Sequence, residues 1–376
     1  MSLLPPHLYY KTGVADGGDP SVVNRATAEV ARLKAQGAYP VLSLAHLAHE
    51  TGASYSYLRE IVNRTRDAYS SVAMPKRSGG TRPISVPEPI LMDVQRWLLS
   101  NVLNGVREHP ASFAYRQGVS IVQCAEQHVG AQWMVKMDLH NFFGTVLEPS
   151  VYRVFRRLGY SKLVAFELAR ITTRAEGNLR ASGSEHVISD YSMHSQGVLP
   201  QGGPTSGQLA NAVAGRLDRL LQAYATRSGL VYTRYSDDLA FSGHSTFSRV
   251  EASGVIGEVS GLVRSAGFEA HRAKSRVVPP GARKIVLGLL VDDSVRLLPE
   301  DRRRIEVHLR GCEKFGLAKH AAHRGFDSVF SFIDHLDGWI SFALGVERAR
   351  ATAWRQQLRQ ILTADGLPAD LLRHAV

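Results

Sequence analysis

Only two cysteines, Cys124 and Cys312, occur in 376 residues. They lie far apart and in no metal-like spacing, which excludes a disulfide framework and a cysteine-ligated zinc cluster and suits a reducing compartment. No apolar run reaches bilayer-spanning length, and the stretch from Met1 to Gly13 lacks a signal-peptide pattern. A cytoplasmic protein with no membrane partner is expected. Acidic residues are few: 34 Asp and Glu against 45 Lys and Arg, for a net charge of +11 and a pI of about 9.8. That surplus suits a polyanionic partner, nucleic acid before membrane, because no basic amphipathic terminus accompanies it. Repeats and low-complexity tracts are also absent. With 44% hydrophobic residues the chain has the material for a sizeable core, which argues against wholesale disorder. Its length allows two or three domains.

Residues 1–70 read as helical. Leu42 to Ala48, the turn around Gly52, and Tyr57 to Val62 form a helix–turn–helix pattern, here taken as a packing unit rather than a DNA reader. Pro75 to Ile84 carries a Ser-Gly-Gly turn between basic residues and predicts a basic hairpin. Ile90 to Val106 and Ser206 to about Tyr224 predict amphipathic helices, and Trp133 to Leu139 predicts a strand. Between Thr172 and His194 the chain turns polar and glycine-containing, as a loop or insertion does. After Pro299 the pattern is helical alone: Glu300 to Phe315, Val329 to Leu344 and Val346 to Leu362. Two histidine pairs, His46/His49 and His320/His323, have helix-neighbour spacing but no third ligand, and are read as surface or packing residues.

The chemistry concentrates at Tyr235-Ser236-Asp237-Asp238. Strand-like runs on either side, Leu230 to Tyr235 and Leu239 to Ser242, make this the tip of a β-hairpin. Adjacent carboxylates raise each other's pKa, and a divalent cation relieves that cost. A third carboxylate, Asp138, ends the strand Val135-Lys136-Met137-Asp138. Between them Leu199-Pro200-Gln201-Gly202-Gly203-Pro204 is a Gly/Pro-rich loop that opens a helix and brings backbone N–H groups near a ligand. Hard oxygen ligands favour Mg²⁺ over zinc.

In this order the motifs resemble those of the reverse transcriptase family, over roughly residues 40–345. Asp138 opens the first palm motif, Gln201-Gly202 the second, and Tyr235 to Asp238 is the Tyr-x-Asp-Asp box. The resemblance implies an α+β right-hand polymerase fold: fingers, a palm with an antiparallel sheet, and a helical thumb, behind a helical N-terminal extension. The expected partition is 1–70 extension, 71–296 fingers and palm, and 297–376 thumb. It implies an RNA-directed DNA polymerase with two Mg²⁺ ions on Asp138, Asp237 and Asp238. Lys76, Arg82, Gln201 and Gly202 would bind the dNTP, Phe143 would exclude a 2′-hydroxyl, and Lys274 would protonate the leaving pyrophosphate. Tyr115, Arg116, His128, Val286, Gly288 and Arg303 would contact nucleic acid.

The short chain, the Gln-Gly-x-Pro-x-Ser loop and the segment Asp337 to Phe342 resemble bacterial retron reverse transcriptases in particular. That implies a cognate structured non-coding RNA as template, a branched single-stranded DNA product primed from a 2′-hydroxyl, and an effector protein in antiphage defence. The chain departs from the retron pattern at three motifs, and the polar stretch after Thr172 is extra. It has Cys124-Ala125-Glu126-Gln127-His128 for Asn-Ala-x-x-His, Val286-Leu287-Gly288 for Val-Thr-Gly, and Ser206-Gly207 for Ser-Pro. The alternatives are another bacterial defence reverse transcriptase with different priming, and a non-catalytic RNA-binding scaffold.

Overall fold

The computed structural model describes residues 11, 14–75, 79–175, 196–368 and 371–372. Lys76 and residues 176–195 of the polar stretch lie outside the described residues.

Three helices come first: α1 (Pro20–Ala35), α2 (Leu44–Thr51) and α3 (Tyr55–Asn63). Ser43 and Ser54 cap α2 and α3 through their hydroxyls, and Gly52 ends α2 at φ 72, the left-handed geometry glycine adopts without cost. Leu44, Leu47, Leu58 and Ile61 are buried in the main core, so this pair packs inward as expected. Strands β1 (Tyr69–Pro75) and β2 (Thr81–Pro87) pair antiparallel, with Met74 opposite Arg82. Exposed along nearly all of β1, the hairpin projects from the body.

Helix α4 spans Pro89–Asn101 and gives way to a 3₁₀ turn at Leu103–Gly105, so the single helix expected to Val106 is interrupted. Helix α5 is Ile121–Glu126 and strand β3 is Trp133–Asp138. Helices α6 (Glu148–Arg157) and α7 (Lys162–Thr172) follow. The short strands β4 (Arg174–Ala175) and β5 (Gly197–Val198) pair with each other, which ties off the polar stretch at its base. Helix α8 (Ser206–Arg227) runs three residues past its expected end.

The central sheet has the order β6-β7-β3-β8, from β6 (Leu230–Tyr235), β7 (Asp238–Gly243), β3 and β8 (Arg276–Val278). Alternation along the strands assigns its two faces. Trp133, Val135, Met137, Leu239, Phe241 and Tyr232 enter the core with α8 and α9 (Arg249–Ser265). Met134 and Ala240 belong to a second core on the other face, and Asp138 and Asp238 follow them on that face by the period of two.

The second core is closed by a three-stranded sheet of β9 (Ile285–Val286), β10 (Leu289–Val291) and β11 (Val295–Leu297), and by α10 (Pro299–Phe315), α11 (Leu317–His323), α12 (Val329–Leu344) and α13 (Arg348–Ala364). The sequence reading omits α11. Gly316 at φ 79 breaks the chain between α10 and α11, and the turn packs His320 inward, where its Nε2 lies 3.2 Å from His308 Nδ1. Ile305, Leu309 and Cys312 face inward as expected. Both cysteines are free and buried.

Candidate active site

Tyr235 pairs with Asp238, leaving Ser236-Asp237 as a two-residue hairpin loop. Ser236 has φ 58, an uncommon value outside glycine, and a positive φ at the first loop position matches the twist of the flanking strands. Three contacts hold the turn. Arg234 Nη1 donates to the Ser236 carbonyl at 3.0 Å, the Leu139 N–H donates to the Asp237 carbonyl at 2.9 Å, and the Tyr115 and Ser236 hydroxyls lie 3.0 Å apart.

Behind the turn Arg234 is completely buried. Its Nε and Nη2 donate to the two Asp218 oxygens at 2.7 Å each, Nη1 also donates to Asn211 Oδ1 at 2.9 Å, and Nη2 to the Ser112 hydroxyl at 3.0 Å. Tyr232 donates to Asp218 as well, at 2.9 Å. A buried charge pair is tolerated only when its remaining donors and acceptors are satisfied, and this one is. Sequence reading passed over Arg234 and Asp218. The available signal was an Asp next to Leu217 on the apolar face of a long helix and an Arg inside a strand of buried residues.

Register sets Asp138 directly opposite Asp238. Like charges in that position destabilise a sheet. Asp138 is buried, Asp237 partly exposed and Asp238 open to solvent. Loss of water around Asp237 raises its pKa, and Asp138 adds to the rise. Asp238 is raised by desolvation first and by Asp237 next. Lys274, at the end of a 3₁₀ turn Arg272–Lys274, donates to both Asp138 oxygens at 3.0 and 2.9 Å. Those bonds raise the ammonium's pKa. The turn is anchored where the His271 N–H donates to the Asp138 carbonyl at 2.7 Å.

These oxygens suit a hard divalent cation: all are carboxylates, Asp138 and Asp238 face each other across the sheet with Asp237 in the adjoining turn, and Lys274 sets a cation against Asp138. Among the described residues no three metal-ligating side chains are gathered tightly enough to hold an ion.

The second loop, Leu199 to Pro204, packs against the β1–β2 hairpin. The Gln201 carbonyl accepts from the Ser85 N–H at 2.8 Å, tying the loop to β2. Gly202 has φ 122, and a Cβ there would lie 2.5 Å from the Ser85 carbonyl oxygen, so only glycine fits. Arg82 is exposed on β2. Phe142 is core, as read, while Phe143 is half-buried and meets the Tyr115 ring edge-on at 6.0 Å. Tyr115 lies over Gly207, where a Cβ would come within 2.4 Å of the ring. The departure Ser206-Gly207 thus has a local cause: any side chain there displaces Tyr115.

Arg116 is exposed near Tyr115, and Arg303 is exposed on α10. Gly288, at φ 81, forms an exposed turn with Leu287 at φ 50. Two expectations are corrected. His128 is fully buried; its ring nitrogens bond the Ser242 and Thr233 hydroxyls at 2.8 and 2.7 Å. It pins β6 and β7 from behind rather than touching nucleic acid. Val286 is likewise buried in the second core, so its side chain packs, and only the turn after it reaches solvent.

Carboxylates at a hairpin tip and on the facing strand end of an antiparallel sheet, beside a projecting β-hairpin and a helical end piece, define a right-hand polymerase palm. Residues 74–298 match the family model described as "Reverse transcriptase (RNA-dependent DNA polymerase)", and the chain belongs to that family; it is an RNA-directed DNA polymerase. Its relatives include the retron Mx65 reverse transcriptase of Myxococcus xanthus, 34% identical over 82% of this chain and 70% of the relative. The retron Mx162 reverse transcriptase of the same organism is 31% identical over 90% and 71%, and the retron Ec86 reverse transcriptase of Escherichia coli 28% over 82% and 86%. Within its family the chain therefore resembles the retron enzymes. Of the residues that depart from the retron pattern, Cys124 is buried in the second core, whereas Leu287 is half-buried in the turn before Gly288.

Proposed function

We propose that this chain is the polymerase of a retron, copying part of a cognate structured non-coding RNA into single-stranded DNA primed from a 2′-hydroxyl of that RNA. The observation that carries the chemistry is the pairing of Asp138 with Asp238 across β3 and β7, next to Asp237 on the constrained turn. Asp138, Asp237 and Asp238 would hold two Mg²⁺ ions, which when bound offset charge on the triphosphate and make the primer hydroxyl a better nucleophile. The buried Arg234–Asp218 pair fixes the turn, so the carboxylates need little rearrangement before reaction. Arg82 and Lys76 meet the dNTP phosphates, Arg82 by forked hydrogen bonds. Gln201 and Gly202 shape the nucleotide's floor, and Phe143 stands where a ribose 2′-hydroxyl would go. Lys274, held protonated beside Asp138, is placed to give a proton to the departing pyrophosphate.

Tyr115, Arg116, the Leu287-Gly288 turn and Arg303 face template and primer, and the division into extension (1–70), fingers and palm (71–296) and thumb (297–376) follows the same reading. Among the described residues no helix is long and apolar enough to cross a membrane; the cytoplasm is part of the same reading. Retron relatives support a branched product used with an effector protein in antiphage defence.

Purified protein with its RNA, Mg²⁺ and dNTPs should make labelled DNA, and Asp237→Asn should abolish it. Debranching enzyme should shift the product's mobility by cutting a 2′–5′ link. Equal incorporation by wild type and Asp237→Asn removes the polymerase reading. Verified DNA that ignores the debranching enzyme removes the priming mode alone.

A further inference from the structure

A second concave site lies behind the palm. A cavity of about 320 Å³ is lined by the 105–109 segment, the end of α6 and the middle of α8. None of Asp138, Asp237, Asp238, Tyr115, Phe143 or Gln201 lines it, so it is separate from the polymerase cleft. Its floor is apolar, from Val106, Val154, Leu158 and Ala212, and Arg107, Arg157 and Arg219 stand around the rim. All three arginines are exposed, and none has an ion-pair partner among the described residues. Arg157 makes one long hydrogen bond, 3.4 Å, to the Ala212 carbonyl. The single lining carboxylate, Glu108, accepts from Asn211 Nδ2 at 3.0 Å. Three guanidinium groups with unmet donors over an apolar floor suit a ligand with phosphate at one end and a flat, weakly polar body at the other.

We propose that this cavity binds a nucleotide phosphate outside the polymerase cleft, with the base against the apolar floor. The phosphate comes from an RNA strand or from a free nucleotide. The proposal rests on the reading of the chain as an RNA-dependent polymerase only for the first source. The volume suits one nucleotide, being at the lower end of small-ligand pockets, about 300–1,000 Å³. The site also opens onto the support of the catalytic turn. Asn211, whose amide holds Glu108, accepts from Arg234 Nη1 at 2.9 Å, and that nitrogen donates to the Ser236 carbonyl at 3.0 Å. A bound phosphate that competes with Glu108 for the Asn211 amide therefore touches the hydrogen-bond chain that holds the turn.

The test compares two double variants of the full chain with equal loss of charge. Arg107→Ala with Arg219→Ala removes two of the three rim arginines, whereas Arg249→Ala with Arg264→Ala removes exposed arginines of α9 that do not line the cavity. Binding of a fluorescein-labelled oligouridylate is followed by anisotropy across a salt series, and thermal unfolding is followed with and without uridine monophosphate. The rim variant should bind the oligonucleotide several-fold more weakly than the control variant. Its salt slope should be smaller by about 0.7 for each lost phosphate contact. A free-nucleotide source instead predicts that uridine monophosphate stabilises wild type and the control but not the rim variant. If the two variants match each other in both measurements, the proposal is overturned, because general electrostatic attraction then explains all binding. DNA synthesis by both variants on a poly(rA)–oligo(dT) duplex keeps that outcome distinct from failure of the polymerase reading.

Discussion

Lys274 Nζ lies 2.9 Å from one oxygen of Asp138 and 3.0 Å from the other. The ammonium thus sits where a metal-binding carboxylate has its electron pairs. Its side chain is more than half exposed, so the pair contributes under about 1 kcal/mol. Removing the competitor should ease cation binding by a similar amount. Lys274→Gln is expected to reach half-maximal DNA synthesis at lower Mg²⁺, by up to about fivefold, while its maximal rate falls from loss of the proton donor. A Mg²⁺ titration reading both quantities checks this; an unchanged half-saturation point means that the two cations do not compete.

The Arg234–Asp218 pair predicts a large stability effect. Both side chains are fully buried, and removing one member of such a pair leaves an uncompensated charge, at a cost of about 3–5 kcal/mol. Asp218→Asn should lower the denaturant midpoint accordingly. Arg234→Lys keeps charge but loses the fork, so it should depress synthesis more than its stability loss explains, because the Ser236 carbonyl loses its donor.

Gly207→Ala tests the seat of Tyr115. A methyl group there meets the ring at 2.4 Å, and overpacking of this kind costs about 1–3 kcal/mol if nothing moves. Tyr115 is half-exposed and is expected to swing away, sparing stability but loosening its contacts with Phe143 and Ser236. The KM for dNTP should then rise by on the order of tenfold, about 1.4 kcal/mol, with the melting temperature nearly unchanged. A fall in melting temperature without a change in KM would show that Tyr115 stays put and the core yields.

Phe143→Ala should reduce preference for dATP over ATP by at least about tenfold, the scale of discrimination carried by one steric contact. Single-nucleotide incorporation with each triphosphate measures it. An unchanged ratio returns Phe143 to a packing role beside Phe142.

His128 predicts a pH dependence of folding. Burial first, with His244 and Lys136 nearby, lowers its pKa from 6.5 to about 4. Between those values the unfolded chain binds the proton and the folded chain does not. Stability from this group is therefore complete above pH 6.5 and is lost as pH falls towards 4, by on the order of 3 kcal/mol in all. Urea unfolding of wild type and His128→Asn across that window should show a shallower slope in the variant, whatever its absolute stability. Parallel slopes would mean that other groups carry the dependence.

The sequence by itself determined the local pieces. Alternating apolar runs around Ser236-Asp237 dictated a hairpin, the strand ending in Asp138 followed from its β-rich run, and Gly202 and Gly52 sit where the backbone needs glycine. A linear pattern specifies such features because the period of two and the steric freedom of glycine are local properties. It also marked the three carboxylates, since unpaired acids at strand ends stand out in a basic chain.

Only the tertiary structure decided what lies across from what. That Asp138 faces Asp238 depends on the register of β3 with β7, and a slip of one residue would place it on the helix-packed face. His128 looked like a surface contact and proved a buried strand pin, because its partners, Thr233 and Ser242, are more than a hundred residues away. Arg234 and Asp218 were silent in the sequence for the same reason, each acting through a partner brought close by folding, and Gly207 stood out in the sequence only as a departure whose cause, the Tyr115 ring, folding supplies. The cavity behind the palm likewise exists only where α6, α8 and the 105–109 segment meet. Long-range pairing of charge and shape is a property of packing, and no window along the chain contains it.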